Sequence, residues 1–189
     1  MTPLMKDIIF FGDSLTAGYG LSDPAKQALP ALISQKIEQA GLQYRVINAG
    51  LSGDTTRSAI IRLNSILNYD IKLFVLELGA NDFLRGHSPA EISANLQQII
   101  SRVKVHCPEA RILILGIALP NWAAGFQGSG YTSIFQHLAN ENGTAIVPSF
   151  LEGVSGNRSM NMPDGVHPLA KGYERAAVNI WPSVLSLIS

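Results

Sequence analysis

Apolar residues along this chain gather in five short runs that scarcely alternate with polar ones: Asp7–Phe11, Tyr44–Asn48, Leu73–Leu78, Arg111–Ile117 and Thr144–Pro148. Isoleucine, valine, leucine and phenylalanine dominate them. Strands of that kind need cover on both faces, the mark of a parallel sheet. Between the runs, Pro24–Ala40, Thr55–Leu67, Pro89–His106 and Tyr131–Asn142 carry apolar residues at helical spacing. Ile92, Leu96, Ile99, Ile100 and Val103, for example, fall on one helical face. A last helix is predicted from Pro168 to about Leu187, with Pro182 expected to kink or reset it.

Helix-end signals agree with these bounds. Ser88 precedes Pro89 as a capping residue before a first-turn proline, and Gly41 and Gly143 follow helices where a left-handed cap is wanted. No repeat, low-complexity tract or linker breaks the alternation, so residues 1–189 read as one α/β domain. The commonest order for a five-stranded doubly wound parallel sheet is 2-1-3-4-5, with its crevice between strands 1 and 3. Ligands of such folds bind beyond the carboxyl ends of the strands. Those ends lead into Gly12-Asp13-Ser14, into 49–54 ("AGLSGD") and into Gly79-Ala80-Asn81-Asp82, where small and polar residues gather.

Composition narrows the class without naming a function. Lys+Arg and Asp+Glu are equal at 14 each, and the absence of a long basic run removes the usual footprint of a nucleic-acid binder. No apolar stretch is long enough to span a bilayer. Cys107 is the single cysteine, which excludes an intrachain disulfide. His87, His106 and His137 have no Asp or His at metal-ligand spacing; neither a metal nor another cofactor is expected. The start of the chain lacks the apolar core of a signal peptide, which fits a cytoplasmic protein or a mature chain without its leader.

The candidate chemistry is nucleophilic. Ser14 stands on the rim after strand 1; alone it equally suits a tight turn. Asp164 and His167 lie three positions apart on a glycine-containing turn ("DGVHP"), close enough for the carboxylate to reach imidazole Nδ1. Pro168 sets His167 at a helix entrance. A rim serine with such a histidine is the arrangement that activates a weak hydroxyl. Acyl transfer also needs oxyanion donors, and the Ser14 N–H, the Gly53 N–H and the Asn81 side-chain amide are the candidates. Gly53 equally suits a turn, and Asn81, Asp54 and Asp82 equally suit helix caps; Asp13 reads as a holder of backbone amides. His87, His106 and His137 read as structural or solvent-facing. A flavodoxin-like FMN protein shares the fold but leaves Asp164 and His167 unused, and a phosphoacceptor domain wants an aspartate after strand 3, where Gly79-Ala80-Asn81 stands.

Taken together, "FGDSLTAGYG", "GLSGDTTRSAIIRL", "ELGANDFLRG" and "DGVHP" resemble, in order, the four blocks of the GDSL esterases of the SGNH hydrolase superfamily. The chain is most similar to their bacterial thioesterase I, lysophospholipase and arylesterase branch. Ala80 departs from that branch, which usually has glycine before the asparagine. The resemblance implies a three-layer α/β/α sandwich. It implies Ser14 as nucleophile, His167 as general base and acid, Asp164 as its partner, and an oxyanion hole of Ser14, Gly53 and Asn81. It also implies short- to medium-chain acyl esters or thioesters as substrates, a carbohydrate acetylesterase being the alternative with identical catalytic groups. A periplasmic or secreted location follows if a leader was removed. Leu15 beside the serine, and Trp122, Phe126 and Tyr131 after strand 4, are candidate substrate contacts. No nucleic acid, membrane insertion or obligate protein partner is expected.

Overall fold

The computed structural model describes residues 5–117 and 128–189. Five strands form one parallel sheet: β1 (Asp7–Gly12), β2 (Arg45–Gly50), β3 (Ile71–Glu77), β4 (Arg111–Leu115) and β5 (Ala145–Val147). Their order is 2-1-3-4-5, as the pattern predicts, with β1 pairing β2 on one side and β3 on the other. Every residue of β1 is buried, and since successive side chains point to opposite faces, the sheet centre is covered on both. The edge strands β2 and β5 are only partly buried. Ile8, Ile9, Phe10 and Phe11 of β1 join Leu73, Phe74, Val75 and Leu76 of β3 at the centre of the core.

Among the described residues, eight α-helices accompany the sheet: α1 (Ser14–Ala17), α2 (Pro24–Gln27), α3 (Leu29–Gln39), α4 (Thr56–Arg62), α5 (Ala80–Leu84), α6 (Pro89–His106), α7 (Gly128–Asn142) and α8 (Ala170–Ile188). Helix α3 packs with α8, while α6 packs with both α4 and α7. These sets are the outer layers. The predicted Pro24–Ala40 helix is two helices, broken at the extended Ala28. Pro30 explains the break, because in a continuous helix its ring would strike the Lys26 carbonyl. Conversely, α8 runs through Pro182 without interruption. Pro182 sits on the solvent face, where the carbonyl of the exposed Val178 can turn to water instead of a helical N–H.

Two of the rim segments expected as loops are short helices, α1 and α5. Helix α1 starts at Ser14 directly after β1, capped by Asp13, whose Oδ1 accepts the Leu15 N–H at 2.9 Å. It lies hard against the end of β2 at Gly50. A β-carbon there would stand 2.3 Å from the Ala17 nitrogen. Gly50→Ala is therefore expected to lower stability by about 2–3 kcal/mol, read as an earlier midpoint in urea with an unchanged slope. Among the described residues, no helix is long and apolar enough to cross a membrane.

Candidate active site

The carboxyl ends of β1, β2 and β3, with the turn before α8, surround a cleft of about 280 Å³. Ser14, Gly53, Asn81, Asp164 and His167 all line it, so residues 153 positions apart in the chain meet at one place. Ser14 Oγ lies 2.9 Å from His167 Nε2, and His167 Nδ1 lies 2.7 Å from Asp164 Oδ2. The other carboxylate oxygen of Asp164 accepts the backbone N–H groups of Val166 and His167 at 2.9 and 3.0 Å. The short span of "DGVH" makes this geometry local. One carboxylate grips both the backbone and the ring of the same histidine. Partial burial pushes Asp164 up, but the His167 and Val166 bonds outweigh it and hold the carboxyl below its ordinary value.

Gly53 has φ +79°, a backbone conformation that side chains disfavour, and its carbonyl accepts the Arg85 guanidinium at 2.9 Å. The N–H groups of Ser14 and Gly53 have no acceptor among the described residues. Asn81 differs from the expectation in one respect. Its Nδ2 already donates to Asp13 Oδ2 and to the Asp54 carbonyl, each at 3.0 Å. Swapping the amide would set its oxygen against two acceptors, so its orientation is determined by the network. An oxyanion would share one of these hydrogens rather than find a free one.

Of the substrate contacts predicted, Leu15 lines the cleft. Tyr131 does not: it is buried, its ring against Phe83 and Phe135, and it packs behind Gly79. Trp122 and Phe126 lie outside the described residues. Asp13, Tyr19, Ser52, Ala80, Leu84 and Val166 also line the cleft. The Tyr19 ring rests on His167 with centroids 4.7 Å apart. Nothing in the sequence pattern singled out Tyr19 or Leu84; only their proximity to the rim motifs could have done so. The other three histidines stand apart from the cleft, His87 on Glu91, His106 on the Arg102 carbonyl, and His137 exposed. Among the described residues, no group of three potential ligands could hold a metal.

Beneath Ser14 sit two buried acids. Glu77, at the end of β3, accepts the Thr16 hydroxyl at 2.8 Å and the Asp13 N–H at 3.4 Å through Oε2. Its Oε1 has no hydrogen-bond partner among the described residues. Burial, with the Asp13 charge beside it, pushes Glu77 well above the ordinary carboxyl range. Burial likewise raises Asp13, and the Leu15 amide, His167 and Asn81 oppose it, leaving its pKa at about 6. The native state thus keeps protons that the unfolded chain releases at lower pH, so stability falls as pH rises through that span. Glu77→Gln removes one such group. Its unfolding free energy relative to wild type is expected to improve between pH 4 and 7 by more than about 1 kcal/mol, measured by urea denaturation.

Asp82, which suits a helix cap, holds the start of α4. Its Oδ2 accepts the N–H of Thr56 at the start of α4, and its Oδ1 accepts the Thr56 hydroxyl at 2.6 Å. Asn95 of α6 donates to that hydroxyl as well. The loops that carry Gly53 and Asn81 are thereby bolted together.

Comparison with known proteins bears on this arrangement. The family model for the GDSL-like lipase/acylhydrolase family matches residues 10–175, which spans all the residues of the cleft. Esterase TesA of Pseudomonas aeruginosa is 35% identical over 182 residues, covering 96% of this chain and 89% of that protein. Thioesterase 1/protease 1/lysophospholipase L1 of Escherichia coli K12 is 35% identical over 162 residues, 85% of this chain and 74% of that protein. A crystal structure of TesA superposes with a TM-score of 0.89 at 35% identity, over 96% of this chain and 99% of that one. A family match along most of the sequence, joined to relatives this similar in sequence and in backbone, shows that the chain belongs to the GDSL-like lipase/acylhydrolase family.

Proposed function

We propose that this protein is a serine esterase in which Ser14, His167 and Asp164 act together, hydrolysing short- to medium-chain acyl esters and thioesters through an acyl-enzyme. One observation carries the reading: the unbroken line from Ser14 Oγ to His167 Nε2, and from His167 Nδ1 to Asp164, at 2.9 and 2.7 Å. In the first step His167 takes the Ser14 proton as Oγ bonds to the ester carbonyl carbon. The negative oxygen is met by the Ser14 and Gly53 N–H groups and by the Asn81 amide. The alcohol or thiol then leaves with the proton from His167. Water, activated by the same imidazole, attacks the acyl-enzyme and restores Ser14. Asp164, anchored on the backbone of its own turn, holds the ring with Nε2 toward the serine and stabilises the imidazolium.

The substrate class follows from the cleft and from the relatives. Leu15, Ala80, Leu84, Val166 and the Tyr19 ring give it an apolar wall suited to an acyl chain or aryl group. The names of these relatives, esterase and thioesterase/lysophospholipase, agree with acyl ester and thioester substrates. The test is intact mass after treatment with an organophosphonate. A single adduct per chain, mapped to the Ser14 peptide, is expected. Absence of an adduct in a preparation that hydrolyses p-nitrophenyl butyrate would reject the serine mechanism.

A further inference from the structure

The three oxyanion donors come from separate segments after β1, β2 and β3, and the β1–β2 ladder closes at Gly12 and Gly50, before any donor begins. Donors on separate loops serve one oxygen only if something beyond the ladder sets their spacing. A misplacement near 1 Å in such a site can lower the rate about 100-fold. One side chain spans the exits of both strands. Arg62, at the end of α4, donates through Nη2 to the Gly12 carbonyl and through Nη1 to the Ala49 carbonyl, each at 2.9 Å. Its Nε donates to Asp54 Oδ2 at 2.6 Å, and its guanidinium lies 4.0 Å from the centre of the Phe11 ring.

This fork joins the residue two before Ser14, the end of β2, and the residue after Gly53. Asp54, itself buried, extends the connection. Its carbonyl accepts the Asn81 amide, which reaches on to Asp13, the neighbour of Ser14. Each oxyanion donor is thus within two residues, or one hydrogen bond, of a group that Arg62 holds.

We propose that Arg62 is a positioning residue for ester hydrolysis, setting the mutual placement of the Ser14, Gly53 and Asn81 donors without touching substrate. The proposal rests on reading those three as the oxyanion hole. A planar guanidinium reaches three acceptors in three fixed directions, whereas an ammonium is a point charge without that fork. Charge alone does not serve the role, so Arg62→Lys is the informative change. Asp54→Asn weakens the same link from the other side.

The experiment compares wild type, Arg62→Lys, Asp54→Asn and the double variant as full chains. Hydrolysis of p-nitrophenyl butyrate and phosphonylation by ethyl p-nitrophenyl methylphosphonate, which releases p-nitrophenolate, are measured per active site, counted by the final adduct. All rates are taken well below the unfolding midpoint of the least stable variant, so a lowered midpoint by itself moves none of them. For Arg62→Lys, kcat and the phosphonylation rate are expected to fall by about 10- to 100-fold with KM changed less than about twofold. Asp54→Asn falls in the same direction. The double variant is no slower than the slower single, because both changes break one unit. A rate within twofold of wild type for Arg62→Lys overturns the proposal, as does a rise in KM at constant kcat, or losses that multiply in the double variant. If Arg62→Lys fails to fold, Asp54→Asn decides by the same split between kcat and KM. Failure of this proposal leaves Ser14→Ala inactive, whereas activity surviving Ser14→Ala overturns the nucleophile assignment and this proposal together.

Discussion

Ser14→Ala is expected to lower kcat on p-nitrophenyl butyrate by about 10⁴- to 10⁶-fold, with KM little changed. Losing Oγ removes both the attacking atom and the proton donor facing His167 Nε2. The fold around it does not depend on that oxygen. Asp13 still caps α1 through the Leu15 amide, and the Ser14 carbonyl still accepts the Gly18 and Tyr19 N–H groups. Circular dichroism and the urea midpoint are accordingly expected to match wild type. The residual rate comes from binding and the oxyanion donors alone. Among the described residues, Ser52 is the other serine lining the cleft, but it has no hydrogen bond to His167. Phosphonate labelling of Ser14→Ala is therefore expected to give no adduct. An adduct on Ser52, or esterase activity within tenfold of wild type, would assign the nucleophile elsewhere.

The second large effect is expected at His167. His167→Ala removes both the base that deprotonates Ser14 and the acid that protonates the leaving group, and kcat should fall by about 10⁴- to 10⁶-fold. The pH profile identifies the group responsible. Catalysis needs His167 Nε2 free to accept the Ser14 proton, so in wild type kcat/KM is expected to drop on acidification. Asp164 is held below the ordinary carboxyl value, so it stays ionised through mild acid and cannot produce that limb. Asp13 can, because its pKa is about 6. Protonating Asp13 would remove an anionic acceptor from the Asn81 amide. Asp13→Asn separates the two. If the imidazole governs the limb, the limb persists in Asp13→Asn and disappears from the residual activity of His167→Ala. A limb lost in Asp13→Asn would transfer the titration to the buried acid.

The two effects share one cause. The Ser14–His167 contact is made between a residue at the first strand end and a turn next to the last helix, so neither partner is reactive until the chain is folded. The pair also sits over a buried acid, Glu77, that has no ion pair among the described residues. Its place there is kept by the Thr16 hydroxyl and the Asp13 amide, both in the segment that presents the nucleophile.

What the amino-acid order determined by itself were features with short reach. Five runs of apolar residues without alternation define five strands, because strand periodicity is expressed within each run, although cover on both faces is complete at the sheet centre and only partial at the edges. The Asp164–His167 pair was legible because a carboxylate three residues from an imidazole on a glycine turn makes its contacts locally, and the structure has those contacts. The capping roles of Ser88 and Asp13 were legible for the same reason. Tertiary structure decided the rest. Arg62 and Gly12 are 50 positions apart, Thr16 and Glu77 61, and Thr56 and Asp82 26. No local period encodes such pairs, since their partners are chosen by which strand ends the sheet order brings together. Tyr131 shows the limit from the other side. An aromatic ring after a rim strand suits a substrate wall or a core equally, and only packing against Phe83 and Phe135 places it in the core.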